Sequence, residues 1–195
     1  MAEKLRIKVI LGSTRPNRFS EYPGRWIFEV LDKREEVEAE LLDLRDYPMP
    51  FFNEAETPGY KSKPYTHESV ANWTAKIAEA DAYIVVSPEY SHGYSAVLKN
   101  ALDYVYQEWN NKPVAFVAYG SVGGSRAVEQ LRQVAIELQM VPIRNAVHIQ
   151  AHWNLLDEKG ALKSGSLEPY VRSAEEMLEQ LLWWTKTLKR AREEA

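Results

Sequence analysis

The chain contains no cysteine. That excludes disulfides, thiolate metal ligands and thiol catalysis, and it leaves the redox compartment open. No apolar run approaches the roughly 20 residues needed to cross a bilayer. The stretch MAEKLRIKVILGST has only a short apolar segment before a polar loop, not the long apolar region of a secretory signal. A cytoplasmic location is therefore the expectation. Charge of one sign is not in excess: 24 basic and 28 acidic side chains give a formal net charge of −4. Such a balance gives no general attraction to nucleic acid or to an anionic membrane. Several catalytic signatures are also missing. There is no GxSxG elbow and no HExxH, and neither GxxxxGK[ST] nor GxGxxG occurs.

What is present is an alternation of short apolar runs with amphipathic ones. With 195 residues, 45% of them hydrophobic, the chain suits one domain over 1–195 with a substantial core. Strands are expected at Arg6–Leu11, Val37–Leu44, Ala82–Val86, Pro113–Tyr119 and Arg144–Ile149. Ala82–Val86 and Pro113–Tyr119 are apolar throughout, as strands covered on both faces should be. Helical stripes run through Tyr22–Leu31, through Val70, Trp73 and Ile77 with Thr66 as N-cap, from Val97 to Trp109, from Ala127 to Leu138, and over Leu167–Arg192. Strand and helix alternate along the whole chain, which predicts an α/β fold with a parallel sheet. Right-handed crossovers and five strands fit a flavodoxin-like three-layer sandwich of order 2-1-3-4-5. In such sheets ligands sit outside the carboxyl ends of the strands, at the switch between strands 1 and 3.

Three loops at that edge stand out. The first, GSTRPNRFS, offers the hydroxyls of Ser13, Thr14 and Ser20 and the cations Arg15 and Arg18, ahead of a helix. Backbone amides at a helix N-terminus, hydroxyls and a guanidinium are what a phosphate group needs. A basic but ordinary connection fits equally. The second, SPEYSHGYS, has a proline that fixes the turn and two tyrosines, Tyr90 and Tyr94, able to face a flat ligand. Glu89 could simply be solvated, and His92 reads as an exposed loop histidine. The third, YGSVGGSRAVEQLR, places Gly120, Gly123 and Gly124 directly before a helix. Ser125 reads as that helix's N-cap, and Arg126 as a first-turn surface residue or a phosphate contact. His148 and His152 are four apart, but on an alternating strand, which argues against a shared metal.

Taken together, LGSTR, SPEY–HGY–LKNALD and KPVAFVAYGSVGGSRAVEQLR resemble the NADPH-dependent FMN reductases of the flavodoxin-like superfold. That group includes quinone and azo-dye reductases, and the likeness runs from about Ile7 to Leu138. The resemblance implies bound FMN, with NADPH or NADH as donor and a small-molecule electron acceptor using the cofactor in turn. It implies that Ser13 and Arg15, with Arg18 and Ser20 as further donors, hold the FMN phosphate. It places Pro88, Glu89, Tyr90 and Ser91 along the pyrimidine side of the ring, largely through backbone groups. Gly120, Ser121, Gly123 and Gly124 would close the other side. The chemistry would lie on FMN, without a protein nucleophile or a metal. Two positions depart from the family pattern: Ser91 stands where Asn is usual, and Ser95 where Pro is common.

Asn100 and Asp103 are expected to anchor the second loop from behind. The resemblance implies a homodimer or homotetramer. Trp183 and Trp184 cannot both face one core from a single helix, so one is a candidate partner contact. Phe51 and Phe52, in the proline-rich stretch 45–65, make a second candidate interface or lid. A flavodoxin-type electron carrier or an FMN-binding regulatory module are the alternatives. Carriers of that type are strongly acidic, and the modest charge here favours an enzyme.

Overall fold

The computed structural model describes residues 3–60 and 65–194. Its strands are β1 (Leu5–Leu11), β2 (Val37–Asp43), β3 (Ala82–Pro88), β4 (Pro113–Gly120) and β5 (Val141–Gln150). Its helices are α1 (Glu21–Asp32), α2 (Glu68–Glu79), α3 (Ala96–Asp103), α4 (Ser125–Glu137) and α5 (Val171–Glu193). The strands form one sheet of order β2-β1-β3-β4-β5, every neighbouring pair parallel. The flavodoxin-like topology expected from the alternation is the one present.

Period-two alternation divides each central strand between two cores. Ile7, Val9 and Leu11, Ile84 and Val86, and Ala115, Val117 and Tyr119 join Ile27 and Leu31 of α1 and Leu178 and Leu181 of α5. Ile10, Tyr83, Val85 and Phe116 join Val70, Trp73 and Ile77 of α2, Leu98 of α3 and Leu131 of α4. So α1 and α5 cover one face, and α2, α3 and α4 the other. Far from the ligand edge, the buried Asp81 carboxylate accepts from the Arg6 amide, Lys189 and Arg192, fastening the end of α5 to the sheet.

Several boundaries differ from those expected. Helix α3 stops at Asp103, although the apolar stripe runs on to Trp109. Val105, just past the helix, and Trp109, in a 3-10 turn at Gln107–Trp109, are still buried, so burial demand outlasts the helix. The N-cap of α2 is His67, while Thr66 instead donates to Glu54 at 2.6 Å. Strand β5 begins at Val141 and includes Pro142, which an edge strand tolerates because one row of its amides is unpaired. The terminal helix begins at Val171, after a 3-10 turn at Glu168–Tyr170. Within the stretch 45–65, residues 61–64 lie outside the described residues.

Candidate functional site

The carboxyl ends of β1, β3 and β4 lie side by side, and short contacts join their loops. The Gly12 amide donates to Val86 O at 2.9 Å. A Cβ at Gly12 would stand 2.8 Å from that same carbonyl, so only glycine lets the two strands exit this close together. Ser95 is the N-cap of α3: its hydroxyl accepts from Leu98 N at 3.2 Å and donates to Gly12 O. Ser95, where the family pattern often has proline, thus clips the first loop to the start of α3. Ser13 Oγ is 3.0 Å from Tyr90 Oη, and the Arg15 guanidinium lies 5.4 Å from the centre of the Tyr90 ring. Tyr90 therefore closes the second loop over the first, with a cation–π contact at its edge.

Arg18 and Ser20 sit deeper. The Arg18 guanidinium is buried and donates to Ser13 O at 2.5 Å and to both oxygens of Asp43. Burial would raise the Asp43 carboxyl, but hydrogen bonds from Arg18 and Arg45 outweigh it and hold it well below the ordinary carboxylate range. Ser20 precedes α1 and makes no capping bond, and its fully buried hydroxyl has no partner.

The second loop is a two-residue hairpin. Tyr90 N donates to Gly93 O at 2.7 Å, and Gly93 N returns a bond to Tyr90 O at 2.9 Å. Between them Ser91 (φ 50°) and His92 (φ 70°) are both left-handed, the pattern of a type I′ turn that favours Asn, Asp and Gly. The Asn usual at position 91 has a conformational reason here, and Ser91 meets that demand less well. The Glu89 side chain is only 4% exposed. Its carboxylate accepts from Arg126 N at 3.1 Å and Arg126 Nε at 2.7 Å. It is therefore not solvated: it caps the N-terminus of α4 and holds the Arg126 side chain, which also touches His92 Nε2 at 2.6 Å.

Gly124, not Ser125, is the N-cap of α4. It has φ 71°, and a Cβ there would meet Ala118 Cβ at 2.6 Å. Gly123 has φ 69° and faces His148 Cβ at 2.9 Å. Both glycines are demanded by the turn folding back on β4 and β5. Ser125 is the first residue of α4, and its hydroxyl donates to Val122 O at 2.8 Å.

The expected anchoring of the second loop by Asn100 and Asp103 is not what the side chains do. Asn100 accepts from Phe52 N at 2.8 Å and donates to Pro50 O at 2.7 Å, so it anchors the loop after β2. Asp103 pairs with Lys99 one turn back. Tyr94 packs against the core on the α2–α4 face.

Four of the expected residues, Arg15, Arg18, Glu89 and Tyr90, line a cavity of about 200 Å³. Tyr119, which opens the third loop's motif without being assigned a role, and His152, outside the motifs, line it as well. Ser91 and Ser121 are exposed, Pro88 and Gly120 end β3 and β4, and Gly123 and Gly124 form the turn before α4. Among the described residues no cluster of three His, Asp or Glu could hold a metal.

The sequence model for NADPH-dependent FMN reductases matches residues 5–154. The chain belongs to this family. An NAD(P)H-dependent FMN reductase of Schizosaccharomyces pombe is 40% identical over 135 residues, 69% of this chain and 68% of the relative. A quinone reductase of Escherichia coli K12 is 31% identical over 144 residues, 71% of this chain and 73% of the relative. In fold the chain resembles FerB of Paracoccus denitrificans, a flavoenzyme NAD(P)H:(acceptor) oxidoreductase. The TM-score is 0.73 at 20% identity, covering 94% of this chain and 98% of FerB. As a member of the NADPH-dependent FMN reductases, the chain is an FMN-dependent NAD(P)H oxidoreductase.

Proposed function

We propose that the chain holds FMN across the carboxyl ends of β1, β3 and β4 and uses NAD(P)H to reduce a quinone, a flavin or a similar small acceptor. One observation carries this placement: the buried, unpartnered Ser20 hydroxyl at the N-terminus of α1, beside Ser13 and the exposed Arg15. A helix N-terminus with free donors suits a phosphate, and the donor set fits the phosphate of FMN. Among the motif residues, Ser13, Arg15 and Ser20 bind it directly. Arg18 acts differently from the other donors. Its charge is matched by Asp43, so it shapes the loop by holding Ser13 O.

When bound, FMN supplies the redox chemistry, taking a hydride from NAD(P)H and passing electrons to the acceptor. The chain's residues bind and orient. The Tyr90–Gly93 hairpin, with Pro88, Glu89 and Ser91, offers backbone groups to the polar edge of the ring. The buried Glu89–Arg126 pair fixes that hairpin against α4, where Gly120, Ser121, Gly123 and Gly124 form the opposing wall. No side chain has to act as a nucleophile.

Exposed aromatics support self-association. Trp183 is 60% exposed while Trp184 packs on the core, and Phe51 is 80% exposed. We read these as contacts of a homodimer or homotetramer, in a cytoplasmic protein. Among the described residues no helix is long and apolar enough to cross a membrane.

The test is steady-state oxidation of NADPH and NADH with a soluble quinone, before and after FMN is removed. Turnover that vanishes with FMN and returns on its re-addition supports the reading. FMN binding without sustained NAD(P)H oxidation would leave an electron carrier instead.

A further inference from the structure

Among the described residues, six buried side-chain nitrogen or oxygen atoms lack a hydrogen-bond partner. Four of the six, Arg18 Nε, Ser20 Oγ, Tyr119 Oη and His152 Nδ1, belong to one neighbourhood, in which Ser20 interacts with the Tyr119 hydroxyl without ideal hydrogen-bond geometry. Arg18, Tyr119 and His152 line the small cavity, and Ser20 follows Phe19, another lining residue. The three rings are in mutual contact: Phe19–Tyr119 at 5.0 Å, Phe19–His152 at 4.7 Å and Tyr119–His152 at 4.9 Å. Native folds leave few such atoms, and a cluster of them calls for a ligand that pairs them.

The fold explains how they meet. Tyr119 ends an otherwise apolar strand, and the alternation of β4 turns it towards α1. Its hydroxyl is the first polar atom that strand presents to this layer. His152 follows Ala151, whose left-handed φ of 45° turns the chain back over the sheet as β5 ends. Tyr119 opens the third of the motif-bearing loops, whereas His152 lies outside all three.

We propose that Tyr119 and His152 form an additional wall of the FMN phosphate cradle, donating hydrogen bonds to phosphate oxygens alongside Ser20. This rests on the FMN placement above. The donor chemistry selects the ligand: a serine or tyrosine hydroxyl and an imidazole N–H can all donate. The nearby carboxylates are already engaged, Glu89 by Arg126 and Asp43 by Arg18 and Arg45. What remains is a pocket of donors with Arg15 at its mouth, matched to an oxygen-rich acceptor of negative charge. Burial raises the Tyr119 pKa against opposing hydrogen bonds from Ser20, and lowers that of His152.

FMN and riboflavin share ring and ribityl chain and differ in the phosphate, so the pair isolates this contact. Dissociation constants would be measured by flavin fluorescence for the apo full-length protein, Tyr119→Phe and His152→Phe. Each variant should bind FMN about tenfold more weakly, as expected for a lost hydrogen bond to a charged group, with riboflavin affinity unchanged. Tyr119→Phe removes one oxygen and keeps the ring, so it carries the test even if His152→Phe folds poorly. It should also gain less in Tm than wild type on adding FMN. Unchanged FMN affinity in Tyr119→Phe, or equal losses for both flavins, would overturn the inference alone. Failure of the wild-type protein to bind either flavin would overturn the FMN placement itself, and this wall with it.

Discussion

Arg18 and Asp43 form a two-pronged ion pair that ties the loop after β1 to the end of the edge strand β2, with the arginine buried and also donating to Ser13 O. The pair puts a structural constraint inside a ligand-binding loop. Asp43→Ala leaves a buried guanidinium without its counter-charge. It should lower stability by about 3 kcal/mol and weaken FMN retention through the displaced Ser13. Urea unfolding together with a flavin-binding titration checks both.

The same pair sets an acid limit. The folded-state pKa of Asp43 is depressed, so its contribution is present above the unfolded aspartate's pKa of about 4. It is lost as pH falls through the lower folded value. Wild type and Asp43→Asn should therefore differ most in stability near neutral pH, and the gap should narrow below about pH 4. Unfolding curves across that range report it, and a constant gap would contradict the assignment.

Ser91 occupies a left-handed position without the residue type that favours it. Ser91→Gly and Ser91→Asn should each stabilise the protein by roughly 0.5–1 kcal/mol. The shift in the urea midpoint at unchanged slope is the measurement. Glycine gives the purer conformational effect, because asparagine adds a side chain near the flavin edge.

Arg15→Ala should weaken FMN binding by about 1.5–3 kcal/mol, the loss of a charged hydrogen bond. Its exposed position means that the fold should not suffer. His92→Ala should leave the rate of flavin reduction by NADPH nearly intact, because His92 is an exposed turn residue whose ring meets only Arg126 in a side-chain hydrogen bond. Stopped-flow reduction and equilibrium dialysis separate the two effects.

The sheet order, the five strands and the clustering of odd loops at one edge follow from periodicity and from the crossover rule, and the structure has them. The stripe from Val97 to Trp109 misled about length, because Val105 and Trp109 keep the helical spacing of burial after α3 has ended. Asn100 and Glu89 show another limit. Both were legible as polar residues near the site, but their partners, Pro50 and Phe52 for one and Arg126 for the other, come from distant segments. Ser125 looked like a cap, yet Gly124 takes that place because the turn needs a left-handed residue packed on Ala118. Tyr119 carried one faint signal, a hydroxyl ending an apolar strand. His152 read as part of an alternating strand with His148, but β5 ends at Gln150 and the turn at Ala151 brings His152 inward.

The most direct measurement is an anaerobic absorbance titration: FMN added to the purified protein, then NADPH or NADH. The account predicts flavin bands that shift on binding and bleach rapidly with at least one nicotinamide, with the bleaching reversed by a quinone. Unshifted bands would contradict the central claim, as would a bound flavin that neither nicotinamide reduces.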